Sequence, residues 1–106
     1  MAWVVLLVAA VFEIGWAVGL KYTAGFTRLW PSAWTLIALL ASVLLLSMAA
    51  RSLPIGTAYA VWTGIGAAGT AALGMLLFGE PATPSRLFFI GLILLGVLGL
   101  RFAASS

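Results

Sequence analysis

Ala9-Ala10-Val11-Phe12-Glu13-Ile14-Gly15-Trp16-Ala17 sets one carboxylate in the middle of an apolar run. From Ala2 to Leu20 every residue except Glu13 is apolar or glycine. As a helix, about 19 residues reach roughly 28 Å, enough to cross the hydrocarbon core of a bilayer. An ionised carboxylate near the centre of such a span costs about 2.5–3.5 kcal/mol on insertion scales. Glu13 is therefore expected to be neutral, paired with a cation, or set against a wet cavity. Each of these describes a proton or cation site.

The rest of the chain repeats the apolar pattern without the carboxylate. Of 106 residues, 65% are hydrophobic and 7% charged, and mean hydropathy is +1.28. Soluble domains carry about 25% charged residues, so a water-soluble fold is excluded. Further apolar runs fill residues 32–50, 55–78 and 85–103, after a first span over 3–20. Polar breaks separate them: Lys21 to Trp30, Arg51-Ser52-Leu53-Pro54, and Gly79-Glu80-Pro81. Pro31 and Pro84 suit first helical turns, where a missing N–H is harmless, and Thr83 suits an N-cap. Lys21 ends the first span and can snorkel to the interface; Trp30 suits an interfacial anchor. The sequence predicts an all-α membrane protein, a single domain of four transmembrane helices joined by short connectors and packed as an antiparallel bundle in a lipid bilayer. The N-terminus lacks a basic region before its apolar run, so the first segment is expected to be a retained span rather than a cleaved signal.

Charge adds two exclusions and one expectation. The net charge of +3 comes from five basic residues scattered singly, which makes no nucleic-acid patch. With no cysteine, no histidine and two acidic residues, thiol chemistry and a metal site are not expected, and neither is a cofactor. An enzyme is not expected either, for want of a nucleophile or an acid–base pair. With four spans, Arg51 and Arg101 fall on the side of the termini, and Lys21, Arg28 and Arg86 on the other. Two against three is almost no bias, so both orientations are expected to insert. An antiparallel homodimer, with its two-fold axis in the membrane plane, follows as a possibility.

Around Glu13, one helix face carries Leu6, Ala9, Ala10, Trp16, Ala17 and Leu20. Alanines leave room beside the carboxylate, and Trp16 offers a flat wall one turn away. No Lys or Arg lies at mid-span, which favours an exchangeable cation over a fixed ion pair. The plainer reading makes Glu13 a hydrogen-bonding link between helices. Tyr59 and Trp62, three apart, share a face in the third span; an aromatic face attracts a cation by about 0.5–2 kcal/mol. The competing reading is an interfacial belt, against which Trp62 lies roughly 10 Å inside the span. Ser42, near mid-depth of the second span, could bond Glu13, a ligand, or its own i−4 carbonyl. Gly64-Ile65-Gly66 reads as a hinge or as a place of close packing. Two small-residue rows cross this span, Gly66-Thr70-Gly74 and Gly64-Ala68-Ala72. Gly91, Gly96 and Gly99 make the fourth span a packing helix, better used against another subunit than alone. Glu80, beside prolines in a connector, is assigned to the surface.

These residues together resemble a known family. Glu13 in Ala-x-x-x-Glu, Lys21-Tyr22-Thr23-x-Gly25-Phe26-Thr27-Arg28, the block Pro54-Ile55-Gly56-Thr57-Ala58-Tyr59-Ala60-Val61-Trp62-Thr63-Gly64-Ile65-Gly66 and the glycine-rich fourth span are similar to the small multidrug resistance family over essentially the whole chain. Glu13-Ile14-Gly15-Trp16-Ala17 resembles its SugE/Gdx-type guanidinium exporters, with Trp16 as discriminator. The resemblance implies a dual-topology antiparallel homodimer in the cell inner (plasma) membrane that exchanges protons for an organic cation by alternating access. It implies that both copies of Glu13 form a shared proton and substrate site. By position, Trp16, Ser42, Tyr59 and Trp62 match the family's pocket, Gly64 and Gly66 its third-helix bend, and Gly91, Gly96 and Gly99 its dimer contact. Guanidinium or a small substituted guanidinium is the implied substrate; the alternative is a broad-specificity exporter of quaternary ammonium and other lipophilic cations.

Overall fold

A computed structural model of the chain describes residues 1–104. It contains four helices: α1 (Ala2–Tyr22), α2 (Leu29–Ala49), α3 (Ile55–Leu77) and α4 (Pro84–Ala104). Each is long and apolar enough to cross a bilayer. Five glycines fall inside α3, each costing about 1 kcal/mol relative to alanine in a water-exposed helix. Hydrocarbon reverses that balance, because every backbone group must be bonded within the segment and an unwound turn has no water to turn to.

The helix ends fall within three residues of the hydropathy-defined spans. The largest difference is at α2, which begins at Leu29 rather than at residue 32. Arg28 is extended (φ −98°, ψ 128°) and marks the true start. Three left-handed residues before it, Ala24, Gly25 and Phe26, wind the connector tightly. Only glycine adopts that conformation without cost, so Thr23 supplies the compensation. Its hydroxyl donates to the Leu20 carbonyl at 2.8 Å and accepts from the Phe26 N–H at 3.3 Å. Thr83 caps α4 as expected, accepting from the Arg86 N–H at 3.3 Å.

α1 is the central helix. It packs along α2 on one side and α3 on the other, and α4 lies along the far side of α3. Tyr22 meets Phe78 at one end, and Arg101 lies over the Trp3 ring at the other, so neighbouring spans alternate in direction. The core sits where α1, α2 and α3 converge, around Leu6, Ala10, Leu46, Ala58, Val61 and Trp62. Glycines set the close approaches. Gly19 receives the Thr35 side chain of α2, Gly69 receives Ile14 of α1, and Gly64 faces Val97 and Ile93 of α4. The Cα atoms extend only 16 Å in their thinnest direction, against 45 and 34 Å in the others. No described residue of α4 before Ala104 is buried.

Candidate cation site

Glu13 projects from the middle of α1 toward α3, and its carboxyl lies directly on Gly66. Any side chain at 66 would occupy the space of that carboxyl. Oε1 of Glu13 is buried and has no hydrogen-bond partner. It lines a groove of about 420 Å³ between α1 and α3, whose other walls include Ala17, Thr63, Thr70 and Gly74. The Thr70 hydroxyl is likewise buried without a partner. A buried, unsatisfied acceptor costs about 1–3 kcal/mol, more when charged. The groove thus holds oxygens that lack donors, inside a wall of small residues that leaves space for a ligand bearing them. At its mouth stand Lys21, Phe78, Glu80 and Arg86.

The sequence-derived pocket residues occupy three different settings. Ser42 is fully buried behind Glu13, where its hydroxyl donates to the Ala9 carbonyl at 2.7 Å and accepts from the Trp62 indole N–H at 2.9 Å. It bonds neither Glu13 nor its own i−4 carbonyl, the two protein partners considered from sequence. The Ala9 carbonyl also accepts the helical bond from the Glu13 N–H, so Ser42 and Trp62 brace the turn of α1 that carries the carboxylate. Tyr59 is 55% exposed and packs on the Trp62 ring at 5.6 Å between centroids; Trp62 itself is only 8% exposed. Trp16 is half-buried, with its indole N–H unpartnered, and does not line the groove. A single chain therefore brings Ser42 and Trp62 to the back of the Glu13 turn, while Trp16 and Tyr59 lie outside the groove.

α3 is continuously helical through Gly64 and Gly66, and both glycines are sites of close approach, one to α4 and one to Glu13. Gly91, Gly96 and Gly99 meet nothing within 4 Å, so their bare faces point away from the chain. Thr63 and Thr70 were not singled out as site residues from sequence. The signal existed: the Gly66-Thr70-Gly74 row, legible as a packing stripe, is the floor of the groove. Glu80, assigned to the surface, is exposed but folds back onto Gly74 and lines the same groove.

Ser42→Ala checks the brace. It leaves the Trp62 N–H without its acceptor, and should lower unfolding free energy by about 1 kcal/mol in mixed micelles, the scale of an interhelical hydrogen bond in a membrane protein. Unchanged stability together with an unchanged tryptophan spectrum would remove the brace from the account.

The model of the family described as Small Multidrug Resistance protein matches residues 1–93. A protein of Citrobacter freundii named Guanidinium exporter is 57% identical over 103 residues, covering 97% of this chain and 98% of that protein. A protein of the same name from Yersinia pseudotuberculosis is 58% identical over 104 residues, covering 98% and 100%. The chain is a multi-pass membrane protein of the small multidrug resistance family.

Proposed function

We propose that the chain is a proton-coupled antiporter that exports guanidinium and small substituted guanidinium cations. It works as an antiparallel homodimer of dual topology in the inner (plasma) membrane. The carrying observation is the Glu13 carboxyl, buried in a groove with Oε1 unpartnered and no basic side chain at its depth. The relatives named as guanidinium exporters support the choice of cation.

Guanidinium is planar and presents N–H donors in a fork that matches a carboxylate bidentately. The ionised Glu13 binds it; a protonated Glu13 has lost the charge that held it. One site with two exclusive occupants yields exchange when the occupied forms reorient and the empty ionised form does not. The second copy is required on physical grounds. A single chain 16 Å thick cannot surround a cation, and the outward-facing glycines of α4 allow another helix to approach closely. With the partner inverted, two Glu13 carboxylates share the site and titrate as a pair. Trp16, Tyr59 and Trp62 then supply aromatic faces from both copies. Gly64 and Gly66 give α3 its least costly place to bend during reorientation.

The test is guanidinium uptake by purified protein in liposomes across a series of pH values. Competition requires the half-saturating guanidinium concentration to rise as pH falls. The rise should approach about tenfold per pH unit where the proton occupies the site. Uptake indifferent to pH would overturn the reading. Uptake of tetra-alkylammonium cations in preference to guanidinium would move the chain to the broad-specificity alternative.

A further inference from the structure

The chain has only two acidic residues, and both lie in one groove on one row of α3. Glu13 lies on Gly66 and Glu80 on Gly74. Eight residues separate these glycines, so the two carboxyls are about 12 Å apart along the helix. The second arrangement is built as carefully as the first. Gly79 is left-handed (φ 66°) and turns the chain back at the end of α3. The Glu80 N–H then donates to the Gly74 carbonyl at 3.3 Å, which draws the connector back over the last turn of α3. Gly74 has no side chain, so the Glu80 carboxyl, though still exposed, folds onto the helix.

What this carboxyl holds is a guanidinium. Arg86 donates from Nη1 to the Pro81 carbonyl at 2.8 Å and from Nη2 to Glu80 Oε1 at 3.4 Å. The pair is more than one-third exposed on both sides (37% and 42%), so it contributes little to stability and exchanges readily. Lys21, the other cation of the mouth, is engaged over the Phe78 ring at 5.7 Å. Glu80 is therefore the only anionic side chain at the mouth, and it is occupied by a tethered copy of the head group proposed as substrate.

We infer that Glu80 and the Pro81 carbonyl form an outer station for guanidinium cations, which Arg86 fills until a substrate cation displaces it. The inference rests on the guanidinium reading above. Its ligand class is narrow: a planar cation with at least two unsubstituted N–H groups on one edge, able to reproduce both Arg86 bonds. A quaternary ammonium has no N–H and cannot. The station concentrates the correct cation at the groove that leads to Glu13, and releases it because Arg86 returns.

Guanidinium uptake into liposomes by the full chain and its variants tests this through KM, with tetra-alkylammonium as the comparison cation. Glu80→Gln should raise the guanidinium KM about two- to fivefold, the range of one exposed ion pair. Arg86→Gln removes the resident competitor and should lower it by a similar factor, with Arg86→Lys in between. The Glu80→Gln, Arg86→Gln double variant should match Glu80→Gln alone, since without the carboxylate there is nothing left to compete for. Tetra-alkylammonium uptake should not distinguish these proteins. Shifts of the same sign in the two single variants, log-additive effects in the double, or an Arg86→Lys protein identical to wild type would overturn the inference. Should Glu80→Gln fail to fold, the two Arg86 variants, which leave Glu80 and its turn intact, still decide the matter. If the wild-type protein takes up no guanidinium, the proposed function fails. If it does so and KM ignores positions 80 and 86, only the outer station fails.

Discussion

Glu13→Gln should abolish the proposed proton-driven guanidinium exchange, reducing it at least about a hundredfold, while leaving the protein folded and the proposed dimer intact. The magnitude follows from what the substitution removes. Glutamine keeps the volume and one acceptor oxygen beside Gly66, so α1 and α3 retain their contact. It loses the negative charge, and with it a charge-assisted bidentate pair of about 1.5–3 kcal/mol, equivalent to roughly 10- to 150-fold in affinity. It also loses the only group within the groove, away from its mouth, that can take up a proton at ordinary pH. Coupling therefore vanishes entirely, beyond the loss of affinity. Guanidinium flux under a proton gradient, measured beside crosslinking of the purified protein, separates these effects. Retained gradient-driven exchange would remove Glu13 from the mechanism.

The second large effect is expected at Gly66. A methyl group there would overlap the Glu13 carboxyl and meet its Cγ at 2.8 Å. Two responses are open: the carboxyl swings out of the groove, or α1 and α3 separate. Because the colliding atoms are the far end of a flexible side chain, the first costs less. Gly66→Ala should therefore lose transport nearly as completely as Glu13→Gln, with a stability loss of only about 1 kcal/mol, the low end of overpacking costs. Gly64→Ala makes a useful contrast. Its methyl would meet Val97 Cγ2 at 2.7 Å and Ile93 Cγ2 at 3.5 Å, so it disturbs the α3–α4 contact and not the carboxylate. A pure hinge role predicts similar transport defects at the two glycines. A carboxylate cradle predicts that Gly66→Ala is much the worse. Equal defects, with the Glu13 environment unchanged by NMR, would return Gly66 to the hinge alone.

The fold was legible because lipid leaves little choice. A run such as 32–50 has one way to satisfy its backbone, and the breaks at Lys21, Pro54 and Gly79-Glu80-Pro81 mark where water resumes. Boundaries were less legible where hydropathy and hydrogen bonding part company, as at Leu29. Glu13 was legible as a candidate site from its isolation alone. Its neighbours across helices were not, because periodicity orders residues along one helix and is silent about which helix stands opposite. Ser42 illustrates this: its depth was readable, but its bonds to Ala9 and Trp62 depend on two other helices. Glu80 illustrates the reverse case, in which the exposed position was readable and the contact it makes was not. Flanking prolines and glycine read as a loop, and only the left-handed turn at Gly79 shows that the loop folds back over Gly74. The small-residue row conveyed that something lies close to α3, without specifying that this something is a pair of carboxylates.

The chain is only 16 Å thick between Cα extremes, so no residue is more than about one helix diameter from the annular lipids. Such a slab has no interior in which to insulate a charge; insulation must be borrowed. An isolated copy would keep its Glu13 and Thr70 oxygens buried without partners, beside acyl tails that offer no donors. In the proposed dimer, a second copy covering that face would supply the insulation, so the membrane itself would oppose dilution of the pair.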